Sequence, residues 1–187
     1  PGKIVVIDNE RDADNAVLQL NNERIIGFDT ETRPTFKKGK SNHVALIQLS
    51  THDTCYLFRI NRIGFTPAIK NLLENESLLK VGISLKDDFC MLSRLNGGQF
   101  IPKNFIELQK FVKKYNIEDQ SLQKIYGIVI GKKISKGQRL SNWEADHLTE
   151  NQQLYAATDA WSCIKIYEVL KSGKFKSPIY KIQPSSL

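Results

Sequence analysis

Runs of residues that are apolar at every position alternate along this chain with stretches whose apolar positions recur every three or four residues. The first pattern predicts strands buried on both faces, and the second predicts amphipathic helices. Lys3-Ile4-Val5-Val6-Ile7 predicts a first strand, and Ala13, Ala16, Val17 and Leu20 then follow helical spacing, with Asp12 placed to cap that helix. Ile25-Ile26-Gly27-Phe28 is apolar on both faces, as a central strand must be. Val44 to Leu49 and Thr54 to Phe58 predict two more strands, and the four residues Ser50 to Asp53 between them are too few for a crossover, so the pair is an antiparallel hairpin. A helix over 66–75, a strand from Leu78 to Ile83 and a helix over 86–95 ended by Gly97-Gly98 come next. A short last strand near Phe105-Ile106 precedes helices around 108–115 and 120–127, a basic loop over 131–143 and a long helix from Asn151 to Lys171. The expected fold is α/β, with about five strands in one mixed sheet and helices on both sides. With 187 residues it is read as a single domain over 1–187, its tail 172–187 loosely held.

Composition narrows the class without changing that picture. Hydrophobic residues make up 41% and charged residues 25%, which excludes a disordered chain, a collagen and a disulfide scaffold. No apolar run approaches the ~20 residues that span a bilayer, so no membrane association is expected. Cys55, Cys90 and Cys163 are odd in number and contain no CxxC, which predicts free thiols in a reducing compartment. The expected location is cytoplasmic, or nuclear in a eukaryote. His43, His52 and His147 lack zinc-ligand spacing. The net charge of +7 makes a polyanion a candidate partner.

Candidate chemistry begins at the end of the central strand, in Gly27-Phe28-Asp29-Thr30-Glu31. Residues i and i+2 of a strand share a face, so Asp29 and Glu31 aim two carboxylates at one spot. Asp8-Asn9-Glu10 has the same spacing but leads straight into a helix. In the long last helix, Tyr155 and Asp159 lie i, i+4 on one face of an element that is apolar nearly all round, so the helix should be buried. A carboxylate there needs a cation, a metal or donors. Asp88, at another strand-to-helix junction, is a further candidate beside the blander reading of a helix-start acid. Acids that converge from distant segments repel one another unless cations sit among them. All-oxygen ligation selects hard ions, Mg²⁺ or Mn²⁺, and two such ions clamp a phosphodiester for attack by water.

These motifs resemble one family. Ile26 to Pro34, Val44 to Ser50, Val81 to Leu92 and Leu140-Ser141-Asn142-Trp143-Glu144 lead in order into Tyr155-Ala156-Ala157-Thr158-Asp159-Ala160-Trp161. Over roughly residues 3–171 the chain resembles the DEDDy 3′–5′ exonucleases, the ribonuclease D-like group that includes the Werner syndrome exonuclease domain. The resemblance implies a ribonuclease H-like fold and two ions, Mg²⁺ or Mn²⁺. It implies that Asp29, Glu31 and Asp159 hold one ion, that Asp29 bridges to the second, and that Asp88 acts on the second through water. Tyr155 would orient the attacking water. A sister group places a histidine five residues before the last acid, where this chain has Leu154, so the histidine mechanism is excluded. Werner-type domains carry an aromatic two residues after the third acid, near the terminal base. That position is Cys90 here, with Phe89 one residue earlier. A family Asp after the last strand appears as Glu107.

The partner implied is nucleic acid with a free 3′ end. DNA is favoured because the chain has no room for the extra helical domains of ribonuclease D. The alternatives are an RNA-processing exonuclease and a non-catalytic nucleic-acid-binding module. Residues 110–139 carry a surplus of six positive charges. Within them Lys136 and Arg139, in the loop leading to the last helix, are candidate phosphate contacts, as is Arg33 just after the acid pair. Lys37, Lys38 and Lys40 extend that second basic loop, and Phe36 is a candidate base wedge in it. Trp143 is expected to pack under its loop and His147 to be a surface residue. No protein partner or oligomeric state is read from the sequence.

Overall fold

A computed structural model describes residues 2–33 and 43–175. Phe36, Lys37, Lys38 and Lys40, and the tail from 176 onward, lie outside the described residues. In chain order the elements are β1 (Lys3–Ile7), α1 (Glu10–Leu20), β2 (Ile25–Thr32), β3 (Val44–Ser50), β4 (Thr54–Phe58), α2 (Ile60–Ile63) and α3 (Pro67–Glu74). Then follow β5 (Leu79–Gly82), α4 (Leu85–Leu95), β6 (Phe105–Glu107), α5 (Leu108–Phe111), a 3₁₀ turn (Val112–Tyr115), α6 (Leu122–Ile130) and α7 (Glu150–Lys171).

The sheet is mixed, as expected, but has six strands rather than five, in the order β1-β4-β3-β2-β5-β6. Both edge segments join it: β1 pairs in parallel with β4, and the three-residue β6 pairs in parallel with β5. The β3–β4 hairpin is antiparallel, as expected, with Ser50 itself paired to Cys55 so that only three residues connect the strands. β2 lies centrally, antiparallel to β3 and parallel to β5. The cap of α1 is Asn9 rather than Asp12. Asn9 is extended (φ −140°, ψ 154°), and its Oδ1 accepts from the Asp12 amide at 3.0 Å, so the residue before the helical dihedrals begin does the capping.

One face of the sheet packs on α1, α3 and α4 through Ile26, Phe28, Ile47, Leu49 and Phe58. The other face packs on α7, which crosses β2, β3 and β4 and also meets α6. Gly27 permits that crossing. A Cβ on Gly27 would lie 2.1 Å from the Ala160 carbonyl oxygen, so any larger residue would push α7 off β2. Thr149 and Gln152 start α7 with a reciprocal capping box, and the Gln152 amide also donates to the Asn142 carbonyl at 3.2 Å. Half of the residues of α7 are buried, yet Leu154 is 44% exposed.

Candidate active site

Strand alternation turns Asp29 and Glu31 toward α7, and the close approach at Gly27 brings Asp159 to meet them. One carboxylate oxygen from each of the three lies within 4.8 Å of the others. Such a group is costly. Asp29 is raised well above the usual carboxylate range by burial, then by Asp159, Glu31 and Asp88 in turn, against one hydrogen bond from the Thr30 amide. Burial and the same neighbours push Glu31 up to about 9, and burial raises Asp159 to about 7 despite a hydrogen bond from the Tyr155 hydroxyl. One oxygen of Asp159 is buried with no hydrogen-bond partner. Three converging carboxylates, one with an orphaned buried oxygen, and no His or Cys among them fit a hard divalent cation.

Tyr155 stands one turn before Asp159 and is buried. Burial, then Asp159, Glu31 and Asp29, raise its pKa further above the usual phenol value, so the hydroxyl stays protonated. Its ring lies 6.1 Å from that of Trp143, which is fully buried beneath the loop, as expected. His147 is exposed.

Asp88 reaches the site from the opposite face of the sheet. It lies in the first turn of α4, and its Oδ1 accepts from the Thr30 hydroxyl at 2.5 Å. Burial raises it to about 6, the Thr30 bond opposing. The helix that carries it starts unusually: Ser84 is left-handed (φ 59°) and its side chain caps nothing. Glu107, at the end of β6, performs that task, accepting from the amides of Ser84 at 3.0 Å and Leu85 at 2.8 Å. No local pattern marks Glu107 for this job, which depends on β5 and β6 being neighbours. Phe89 turns inward, with its ring 4.8 Å from Phe105 and 6.3 Å from Phe28. Cys90 is exposed. Neither therefore presents an aromatic face to a base.

Of the cationic candidates, Arg33 is paired with Glu144, Nη1 to Oε2 at 2.8 Å. Lys136 and Arg139 are exposed in the loop before α7. Gly137 and Gln138 of that loop line a groove of about 910 Å³ together with Tyr155, Trp161, Lys133 and Lys165. Lys165 escaped sequence reasoning because it sits among apolar residues of α7.

The fold and the acid centre together define a nuclease of the 3′–5′ exonuclease class. The family's sequence profile, described as 3′–5′ exonuclease, matches residues 4–173, and the chain belongs to that family. Among curated relatives, the mouse bifunctional 3′–5′ exonuclease/ATP-dependent helicase WRN is 37% identical over 182 residues, 91% of this chain and 13% of that protein. A 3′–5′ exonuclease of Arabidopsis thaliana is 30% identical over 174 residues, 90% of this chain and 57% of its own length. This chain therefore spans only part of the relatives it matches. Among solved structures, the Aedes aegypti Nibbler EXO domain superposes with a TM-score of 0.81 at 23% identity, covering 90% of this chain and 87% of that one. Escherichia coli RNase D gives 0.81 at 20% identity, covering 92% and 45%. At those identities the likeness concerns the fold. No helix among the described residues is long and apolar enough to cross a membrane.

Proposed function

We propose that residues 1–187 form one exonuclease domain that removes nucleotides from the 3′ end of DNA, using two ions of Mg²⁺ or Mn²⁺. The observation that carries this reading is the convergence of Asp29, Glu31 and Asp159 within 4.8 Å, with an oxygen of Asp159 left bare. Asp29, Glu31 and Asp159 would hold one ion, and Asp29 with Asp88 would serve the second. When bound, the ions offset phosphate charge and lower the pKa of the attacking water. The protein's own groups do the rest. Tyr155, kept neutral by its acidic neighbours, holds the water beside Asp159 through its hydroxyl. The water oxygen attacks phosphorus, and the bond from phosphorus to the 3′ oxygen of the preceding nucleotide breaks. The shortened strand leaves with a 3′-hydroxyl, and the released nucleotide keeps the phosphate as a 5′-monophosphate. Lys136 and Arg139 hold the backbone electrostatically, and Arg33 does so after exchanging Glu144 for a phosphate. Three free cysteines, two of them buried, fit a reducing cytosol or nucleus.

The test uses single-stranded DNA and matched RNA, each labelled at the 3′ or the 5′ end, with Mg²⁺ or with excess EDTA. The expected result is immediate release of labelled mononucleotide from 3′-labelled DNA and progressive shortening of 5′-labelled DNA, both stopped by EDTA. Full hydrolysis in EDTA would overturn the metal-dependent reading, and faster cleavage of RNA would reassign the substrate.

A further inference from the structure

We infer that Thr30 is a positioning residue for hydrolysis, whose hydroxyl holds Asp88 at the acid centre; the inference rests on the exonuclease reading above. Alternation along β2 gives three consecutive residues two jobs. Asp29 and Glu31 face α7, while Thr30 between them faces α4. The Thr30 hydroxyl donates to Asp88 Oδ1 at 2.5 Å across 58 residues of sequence, leaving the second oxygen of Asp88 for other partners. The bond has something to oppose. The charged groups that act on Asp88 or share its field are all acids: Asp87 and Glu107 from its own side, Asp29 and Glu31 from β2. Repulsion from Asp29 and Glu31 works against holding the Asp88 side chain beside the centre, and the Thr30 hydroxyl is a contact that opposes it. α4 supplies a firm base for this arrangement, because Glu107 fastens the amides of Ser84 and Leu85 at the helix start. What remains free is the side-chain torsion of Asp88, and Thr30 fixes it. A β-branched residue suits the task because its χ1 is restricted, so the hydroxyl is aimed in advance.

Thr30→Val keeps the shape and the branch and removes the donor. Thr30→Ser keeps the donor. Three readouts are taken on the parent and both variants: steady-state cleavage of a 5′-labelled DNA strand over a range of DNA concentrations at saturating Mn²⁺, the Mn²⁺ binding isotherm without DNA followed by electron paramagnetic resonance, and thermal melting. Loss of an outer contact of this kind costs ~10–100-fold. Thr30→Val is expected to lower kcat by that factor with KM unchanged, and to weaken one of two Mn²⁺ steps while sparing the other. Thr30→Ser is expected to restore both to within ~3-fold of the parent, because the donor returns with a looser torsion. All three proteins should melt cooperatively. A Thr30→Val protein with the parent's kcat and isotherm would overturn the inference, as would a Thr30→Ser protein as damaged as Thr30→Val. If the parent itself neither cleaved DNA nor bound Mn²⁺, the exonuclease reading would fall and this inference with it, so the two failures are distinguishable.

Discussion

Arg59 and Lys80 are 2% and 0% exposed, and each is supplied with partners by the fold. The Arg59 guanidinium donates to the carbonyls of Ala145 and Asp146. Lys80 donates to the Asn75 carbonyl at 2.6 Å and lies 5.1 Å over the Phe105 ring, although burial still lowers it to about 8. Asp29 is half-buried and Glu31 and Asp159 are buried, yet the three receive almost nothing: one backbone amide, one tyrosine hydroxyl and one another. The contrast separates two uses of a buried charge. A charge that ties segments together is paired largely from within, as Arg59 fastens the loop leading to α7 through Nη1 and Nη2 while its buried Nε goes without a partner. A charge kept for a ligand is left unsatisfied, and the remaining fold bears the repulsion until a cation arrives.

Asp159→Asn should break that contrast most completely. Losing the ligand's charge is expected to take hydrolysis below detection, a loss above ~10⁴-fold. The same change removes a buried carboxylate that is largely ionised at pH 8, so the metal-free variant should melt above the metal-free parent at that pH. Parallel kinetics and calorimetry check both halves.

Tyr155→Phe should do less. The ring and its packing against Trp143 remain, and only the hydroxyl proposed to hold the water is lost, so the expected fall in single-turnover rate is ~10²–10⁴-fold with metal binding retained. A variant cleaving at the parent rate would make Tyr155 a packing residue.

Arg59→Ala sharpens the other side of the comparison. It leaves two carbonyls without their donors and empties a buried volume, at a cost of about 2–3 kcal/mol by denaturant titration. The midpoint of the metal titration should not move.

Lys136→Ala with Arg139→Ala should have the smallest effect. Binding to single strands should weaken similarly for all sequences, and the salt slope should flatten by about two. An unchanged slope would return both residues to ordinary solvated surface.

Much of the centre was legible in the sequence because it rests on local rules. The i, i+2 rule paired Asp29 with Glu31, helical spacing paired Tyr155 with Asp159, and four ordered motifs singled out Asp88. What escaped was whatever depends on the order of strands. Thr30 meets Asp88 only because α4 covers β2, and Glu107 reaches Ser84 only because β6 lies beside β5. No local pattern singles out Arg59, because its carbonyl partners lie more than eighty positions away. Arg33 read as a free cation because Glu144 is 111 residues distant.

The direct test of the central claim, that these acids are held apart from partners in order to bind a cation, is stability against pH with and without Mn²⁺. Glu31, Asp159 and Asp88 hold protons more tightly folded than unfolded, with folded values of about 9, 7 and 6. The folded state therefore binds more protons, and the contribution of these acids, fully present below their ordinary range near 4, is lost as pH rises through those values. The metal-free protein should lose stability between about pH 4.5 and pH 9, and the increment added by Mn²⁺ should grow over the same interval as protons cease to compete. A metal-free stability that stayed level or rose across that range, with a Mn²⁺ increment independent of pH, would contradict the account.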